Sequence, residues 1–283
     1  MSSAIIATGD RELDRYWDTW SPYWSYFEDS MLDVEGIQKL AIDLADPVLI
    51  VGAGQGLLVE QLLRKGFKAD GVDLAPQMIK YAKERRNIDL IQADARSLPF
   101  PDGSYRTCIV ATGVADFLEE ERQVAAVVNE ARRVTAVQGK TLLGFYSFHP
   151  KVERLMKYTG VITDDGYWRA RRTYQLMSMR PREFLAALWT LPNVSVLGAL
   201  STFVAYQLFL PGKERRSTKT LNRLWKRIRK GGGAEAIIEA TPELIPYRRE
   251  PQIRSLFERL GQPIHQVYSY GSCTVVLLGP KRR

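Results

Sequence analysis

Only two cysteines, Cys108 and Cys273, and two histidines, His149 and His265, occur in 283 residues. With no Cys/His cluster at ligand spacing, a metal site is not expected. Each cysteine lies inside an apolar run, Thr107-Cys108-Ile109-Val110 and Cys273-Thr274-Val275-Val276-Leu277. A free thiol in such a run behaves as a small buried hydrophobe. His265 falls within a strand-like run, a structural setting. Between Met1 and Thr8 there is no basic stretch leading into a long apolar one. A secretory signal is therefore not expected here, and the cytoplasm is the expected compartment. Low-complexity tracts and internal repeats are absent as well. Hydrophobic residues make up 45% of the chain and charged residues 25%, which excludes a disordered polymer and leaves ample material for a core.

Charge is unevenly spread between the two halves. Residues 1–150 hold 16 Lys and Arg against 22 Asp and Glu, a net of −6. Residues 151–283 hold 24 against 10, a net of +14. Such asymmetry points the second half toward an acidic partner, whether nucleic acid, an anionic membrane surface or an anionic substrate, or else leaves it a solvated basic face.

Between 47 and 149, short apolar runs alternate with helix-like stretches. Val48-Leu-Ile-Val51 reads as a buried parallel strand entering a glycine cluster. Gln55 to Lys65 carries leucines at helical spacing. Gly71-Val-Asp73-Leu74 closes a second strand, and Pro76 suits the first turn of a helix over Gln77–Arg86. Further strands are expected at Ile88–Ala93, Arg106–Ala111 and Lys140–Phe148, with a turn at Pro101-Asp-Gly103 and a helix over Glu119–Val134. Strands separated by helices predict an α/β fold with a doubly wound parallel sheet. Near the end, Pro251–Leu260 reads as a helix closed by Gly261, followed by strands Ile264–Tyr270 and Cys273–Leu278 in an antiparallel hairpin. The intervening 151–249 lacks this alternation and reads as helices and loops, with Gly231-Gly-Gly233 its clearest hinge signal.

Chemistry concentrates at the strand ends. Gly52-Ala53-Gly54-Gln-Gly56 follows the first strand and opens a helix, so backbone can approach a ligand that faces helix N–H groups. The dinucleotide fingerprint needs a third glycine three residues after the second, and that position is Leu57, which counts against NAD or FAD. Asp73 lies 21 residues beyond Gly52, where a carboxylate can accept both hydroxyls of a ribose. Asp94 ends the third strand, within reach of an adenine edge. Either aspartate could instead serve as a cap.

These segments, together with Ala93-Asp94-Ala95 and Leu98-Pro-Phe-Pro-Asp-Gly-Ser104, resemble the class I S-adenosylmethionine (SAM)-dependent methyltransferases. The likeness is greatest to the group that includes the ubiquinone and menaquinone biosynthesis methyltransferases. It covers 47–149 and 250–279. The resemblance implies a Rossmann-like seven-stranded sheet with its last strand antiparallel, and SAM as cofactor. It places Gly52, Ala53, Gly54 and Gly56 under the methionine moiety, Asp73 with Leu74 at the ribose, and Asp94 with Ala95 at the adenine. Thr112 and Gly113 would line the cofactor. The segment Trp17-Asp-Thr-Trp-Ser-Pro-Tyr23 is similar to the aromatic cover of this group, making Tyr23 a candidate lid residue. The domain plan that follows is an N-terminal helical lid at 1–46, a SAM-binding core at 47–150, a helical substrate insertion at 151–249, and a closing helix and hairpin at 250–283.

The chain also departs from that group. Val114-Ala-Asp-Phe117 stands where many members place a histidine, and Val137-Gln-Gly-Lys140 replaces the usual Pro-Gly-Gly. No Asn/Asp-Pro-Pro-aromatic motif follows the fourth strand, which argues against methylation of base amino groups. No Pro-Cys pair is present for covalent attack on cytosine. Methyl transfer needs a general base only when the acceptor must lose a proton. His149, Asp116 and Tyr146 are the candidates, because open α/β sheets place their sites at this carboxyl edge.

From Phe184 to Gly212 no residue of 29 is charged, while Arg169, Arg171, Arg172, Arg180 and Arg182 precede the stretch and Lys213, Arg215, Arg216 and Lys219 follow it. By length it could span a bilayer, but Pro192-Asn193 and several polar residues break it, so the expectation is an apolar lid over the site, ahead of an element docking on anionic lipid through 169–219 and, last, of a true span. A small apolar or lipid-like acceptor, quinone-like or isoprenoid-like, is the favoured substrate. The alternatives are RNA, suggested by the basic half with aromatics near Tyr167–Tyr174, and a non-catalytic regulatory SAM-binding module.

Overall fold

The computed structural model describes residues 8–26, 32–148, 150–158, 160–178, 223–224, 226–228, 230–270 and 273–279. Its strands in chain order are β1 (Val48–Val51), β2 (Ala69–Asp73), β3 (Ile91–Gln92), β4 (Tyr105–Val110), β5 (Thr135–Tyr146), β6 (Tyr167–Trp168), β7 (Ile245–Pro246), β8 (Ile264–Tyr270) and β9 (Cys273–Leu278). The helices are α1 (Thr8–Trp20), α2 (Val34–Lys39), α3 (Leu57–Arg64), α4 (Pro76–Arg86), α5 (Glu121–Val134), α6 (Pro150–Tyr158), α7 (Ala170–Ser178), α8 (Ala234–Ala240) and α9 (Glu250–Arg259), with 3-10 turns at Ser21–Tyr26 and Ala115–Phe117. Two compact units result, Phe27–Ser147 with Arg248–Arg283, and Met1–Tyr26 with Phe148–Tyr247.

The first of these contains a seven-stranded sheet in the order β3-β2-β1-β4-β5-β9-β8. β1 pairs in parallel with β2 and β4, β4 in parallel with β5, and β9 runs antiparallel between β5 and β8. The expected Rossmann-like sheet with an antiparallel last strand is therefore what forms. Every residue of β1 is buried, as a central parallel strand covered on both faces requires. Alternation sorts its side chains. Leu49 and Val51 join Val124, Val127 and Val128 of α5 and Ile253, Leu256 and Phe257 of α9. Val48 and Ile50 join Val59 and Leu62 of α3 and Val34 and Ile37 of α2 on the other face. Burying each large apolar side chain contributes about 1.5–3 kcal/mol. Both cysteines are buried free thiols on these faces, and burial pushes the Cys108 thiol up to about 12.

Three elements differ most from the sequence expectation. The third strand shrinks from Ile88–Ala93 to Ile91–Gln92, because Asn87 takes the left-handed conformation and the Ile88 amide donates back to Ala82 O at 3.2 Å. That Schellman-type closure spends Ile88 on ending α4. The fifth strand begins earlier, at Thr135, and stops at Tyr146 rather than Phe148. A register shift between Tyr105 and Thr107 against β5 accommodates the extra residues 136–139. The helix after the glycine cluster starts at Leu57, not Gln55, because Gly56 holds φ +79° at its N-cap.

In the other unit, α8 lies against α1 and α7. Its interior is aromatic: Tyr16, Trp20 and Trp168 are buried, the Trp20 and Tyr174 rings lie 5.0 Å apart, and Tyr16 and Tyr174 share a hydroxyl hydrogen bond of 3.2 Å. β6 and β7 form a short antiparallel pair where loops were expected. Gly231 and Gly233 donate to Arg227 O and Ile228 O, so the glycine triplet closes one helical stretch and starts α8. Among the described residues no helix is long and apolar enough to cross a membrane. The stretch 184–212 lies outside the described residues.

Candidate functional site

The carboxyl ends of β1, β2 and β4 bring the glycine cluster, Asp73 and the turn after β4 to one edge of the sheet. Gly52, Gly54 and Gly56 have φ values of +75°, +56° and +79°, a conformation that L side chains adopt only with strain. The amides of Gly52 and Ala53 both donate to Val72 O at 2.9 Å, pinning the turn to β2. At Gly52 a Cβ would lie 2.3 Å from Val114 Cγ2, so this glycine is also required for close packing. Asp73 completes the turn: its Oδ2 accepts from Gly54 N at 2.7 Å and its Oδ1 from Ala75 N at 3.0 Å. A carboxylate can accept about four hydrogen bonds, and these two fix its orientation. Leu74 follows, its carbonyl accepting from Gln92 Nε2 at 3.2 Å. Behind the turn, buried Gln55 accepts from Arg85 Nη1 at 2.9 Å, and the Arg85 guanidinium rests 4.1 Å from the Tyr81 ring centroid.

Asp94 stands two residues beyond β3, tied to this edge because Ala93 N donates to Asp73 O at 3.0 Å. Its carboxylate is held by Arg96, whose Nη2 reaches Oδ2 at 2.5 Å and whose amide reaches Oδ1 at 2.7 Å. Burial pushes the Asp94 carboxyl up, but these Arg96 bonds outweigh it and hold the group below its ordinary value. Ala95 packs at the margin of the apolar layer beneath.

After β4 the chain turns through Thr112 and Gly113, the latter at φ +94°. Thr112 Oγ1 donates to Cys273 Sγ at 3.3 Å. A Cβ at Gly144 would fall 2.7 Å from that same oxygen, so β5 presents bare backbone to it. Asp116 is 3% exposed. Its Oδ2 accepts from Gly113 N at 2.8 Å and its Oδ1 from Tyr146 N at 2.9 Å. Arg248 donates to Ala115 O at 3.2 Å and Leu118 O at 2.9 Å on the same 3-10 turn. Burial pushes the Asp116 carboxyl up to about 6, partly offset by the two backbone bonds and the Arg248 charge. The Tyr146 ring lies edge-on to Phe117 at 6.4 Å.

Of the residues singled out in the sequence, Gly52, Ala53, Gly54, Gly56, Asp73 and Leu74 thus form one turn, and Thr112, Gly113, Asp116 and Tyr146 a second, joined by the Gly52–Val114 contact. Tyr23 belongs to the other unit, where its hydroxyl lies 2.8 Å from the position a Gly233 Cβ would take. His149 lies outside the described residues, as do Arg180, Arg182, Lys213, Arg215, Arg216 and Lys219. Arg171 is described and pairs with Glu243 at 3.3 Å. Arg85, Arg96 and Arg248 were missed by sequence reasoning. Arg96 alone left a local signal, two residues from Asp94; Arg85 and Arg248 reach partners 30 and 133 residues away. Among the described residues no group of His, Cys, Asp and Glu could hold a metal ion.

Comparison with known proteins finds likenesses over part of the chain. Residues 48–139 match the model of a methyltransferase domain. The chain is 30% identical over 158 residues to the demethylmenaquinone methyltransferase of Renibacterium salmoninarum, covering 53% of this chain and 65% of that protein, so under two thirds of the relative's length is spanned. Among solved structures, a chain from Rhodobacter sphaeroides named for zinc-dependent alcohol dehydrogenases superposes with a TM-score of 0.56 at 10% identity, over 95% of this chain and 98% of that one. A SAM-dependent methyltransferase from Methanosarcina mazei superposes with 0.51 at 14% identity, over 88% and 99%. Such distant likenesses establish the fold alone.

Proposed function

We propose that this chain, a class I SAM-dependent methyltransferase by its sheet and its methyltransferase domain, transfers a methyl group to a small apolar or lipid-like acceptor of the quinone or isoprenoid kind. The observation that carries the reading is the turn at 52–56 locked onto Asp73 by the Gly54 amide. Three left-handed glycines bring backbone close to a ligand, and an oriented carboxylate faces the place of a diol. We assign Gly52, Ala53, Gly54 and Gly56 to the methionine moiety, Asp73 and Leu74 to the ribose, Asp94 and Ala95 to the adenine, and Thr112 and Gly113 to the cofactor's flank.

When bound, SAM supplies an electrophilic methyl on a sulfonium. The chain's own work is to hold the nucleophile in line with that methyl and to keep water out, an orientation effect worth several kcal/mol, on the order of 7 at full efficiency. Where an acceptor must lose a proton, Tyr146 and His149 are the residues proposed for that task. Asp116 is less suited, since it is buried and both its oxygens are turned to backbone N–H groups.

The name of the Renibacterium relative supports the quinone-like acceptor, and the uncharged stretch 184–212 supports an apolar one. Incubation with methyl-labelled SAM and separate pools of lipid, RNA and polar metabolites tests the choice. Label in an apolar small molecule is expected. Label in RNA would replace the acceptor class while leaving the cofactor in place, and SAM binding with no labelled product from any pool would favour a regulatory module.

A further inference from the structure

Resting on the proposed SAM site, we infer that Asp116 is a positioning residue: ionised, it fastens the cofactor-facing turn after β4 to the end of β5 and so sets SAM affinity, without touching substrate or passing a proton. Four observations combine. Asp116 is 3% exposed, and its two oxygens bond the amides of residues from two different strand ends, Gly113 at 2.8 Å and Tyr146 at 2.9 Å. Those two amides lie beyond the last paired residues of β4 and at the end of β5, where the ladder itself no longer holds the strands together. Gly113 has φ +94°, a conformation open to glycine, and in it the amide is directed at Asp116. Finally, Arg248 braces the same turn from the segment before α9 through the carbonyls of Ala115 and Leu118.

The groups acting on Asp116 are thus the backbone amides of Gly113 and Tyr146, its own backbone amide, and the Arg248 guanidinium, the charged neighbour. A buried carboxylate with a value of about 6 resembles a general base. Geometry assigns it otherwise, because a base needs an oxygen its substrate can reach, and Asp116 is buried with each oxygen turned to a backbone amide. Protonation near pH 6 turns one oxygen into a hydroxyl, which cannot accept a strand-end amide as a carboxylate oxygen does. The sign for stability runs the opposite way. The folded value lies above the ordinary 3.8, so for this group the native state gains protons first and its contribution to stability rises as pH falls through about 6. Affinity and stability therefore diverge across this range, which a merely structural carboxylate would not produce.

The test compares wild type with Asp116→Asn, reading SAM dissociation constants by calorimetry, thermal midpoints, and amide hydrogen exchange at Gly113 and Tyr146. At one pH unit below the value, ten carboxyls in eleven are protonated, so wild-type SAM affinity should fall by up to about tenfold between about pH 7.5 and about pH 5. Asp116→Asn should bind SAM about as weakly at both pH values as wild type does at the lower one, with faster exchange at Gly113 and Tyr146 and an unreduced thermal midpoint. Wild-type affinity in Asp116→Asn, or a pH dependence identical in both proteins, would overturn the inference and leave the SAM site standing. Failure of wild type to bind SAM at any pH would overturn both.

Discussion

The Gly54 amide donates to Asp73 Oδ2 at 2.7 Å, joining a turn and a strand end 19 residues apart in the chain. The bond does two things at once. It holds a left-handed glycine in place, and it aims the carboxylate that the proposed ribose contact uses. Asp73→Ala should lose both. Hydrogen bonds to a charged acceptor contribute about 1.5–3 kcal/mol each, so SAM affinity should drop at least tenfold. Asp73→Asn, which keeps one acceptor oxygen, should fall between. Calorimetric titration of the three proteins checks the order, and equal affinities would remove Asp73 from the site.

Gly52 gives a second prediction. Gly52→Ala introduces a Cβ 2.3 Å from Val114 Cγ2 and places a side chain at φ +75°. The left-handed conformation alone costs about 1–2 kcal/mol, and the clash adds to it. Combining it with Val114→Ala should relieve the clash and recover part of the stability, not all of it. Thermal midpoints of the single and double variants measure this, and full recovery in the double variant would show that the φ carries no cost.

Much of this was legible in the sequence. Apolar runs marked β1 and β4, since a parallel strand buried on both faces has no polar alternation to hide it, and Gly71-Val-Asp73 marked the end of β2. The closing hairpin, Ile264–Tyr270 with Cys273–Leu278, was readable to the residue. Ile88 was not, because the same apolar residue that suits a strand was taken to close α4. Nor was the setting of Asp116. Its sequence neighbours say only that it follows a strand, whereas its partner Tyr146 N is 30 residues away and its brace Arg248 comes from beyond the insertion. Long-range pairing of this kind leaves no local pattern.

The core offers a third test. Phe257 of α9 is fully buried, its ring edge-on to Phe145 at 6.1 Å. Phe257→Ala should cost about 3–5 kcal/mol. A thermal midpoint within experimental error of wild type would mean that α9 is not part of this core.

Arg96 supplies a pH prediction. With it, the Asp94 carboxyl titrates below the ordinary 3.8, so its contribution to stability is present above that value and fades as pH falls through the lower one. Arg96→Ala removes the guanidinium bonds and its charge but leaves the main-chain amide bond and the burial, so the carboxyl should titrate higher than in wild type. Carbon-detected NMR titration of the Asp94 side chain follows the change. An unmoved titration would show that Arg96 does not govern this group.

The central claim, a SAM site at the carboxyl edge of this sheet, meets its most direct test in a calorimetric titration of the intact chain with SAM, repeated with NAD. One saturable site for SAM, blocked by S-adenosylhomocysteine, with no heat from NAD, is the predicted result. No saturable SAM binding, or saturable binding of NAD in its place, would contradict it.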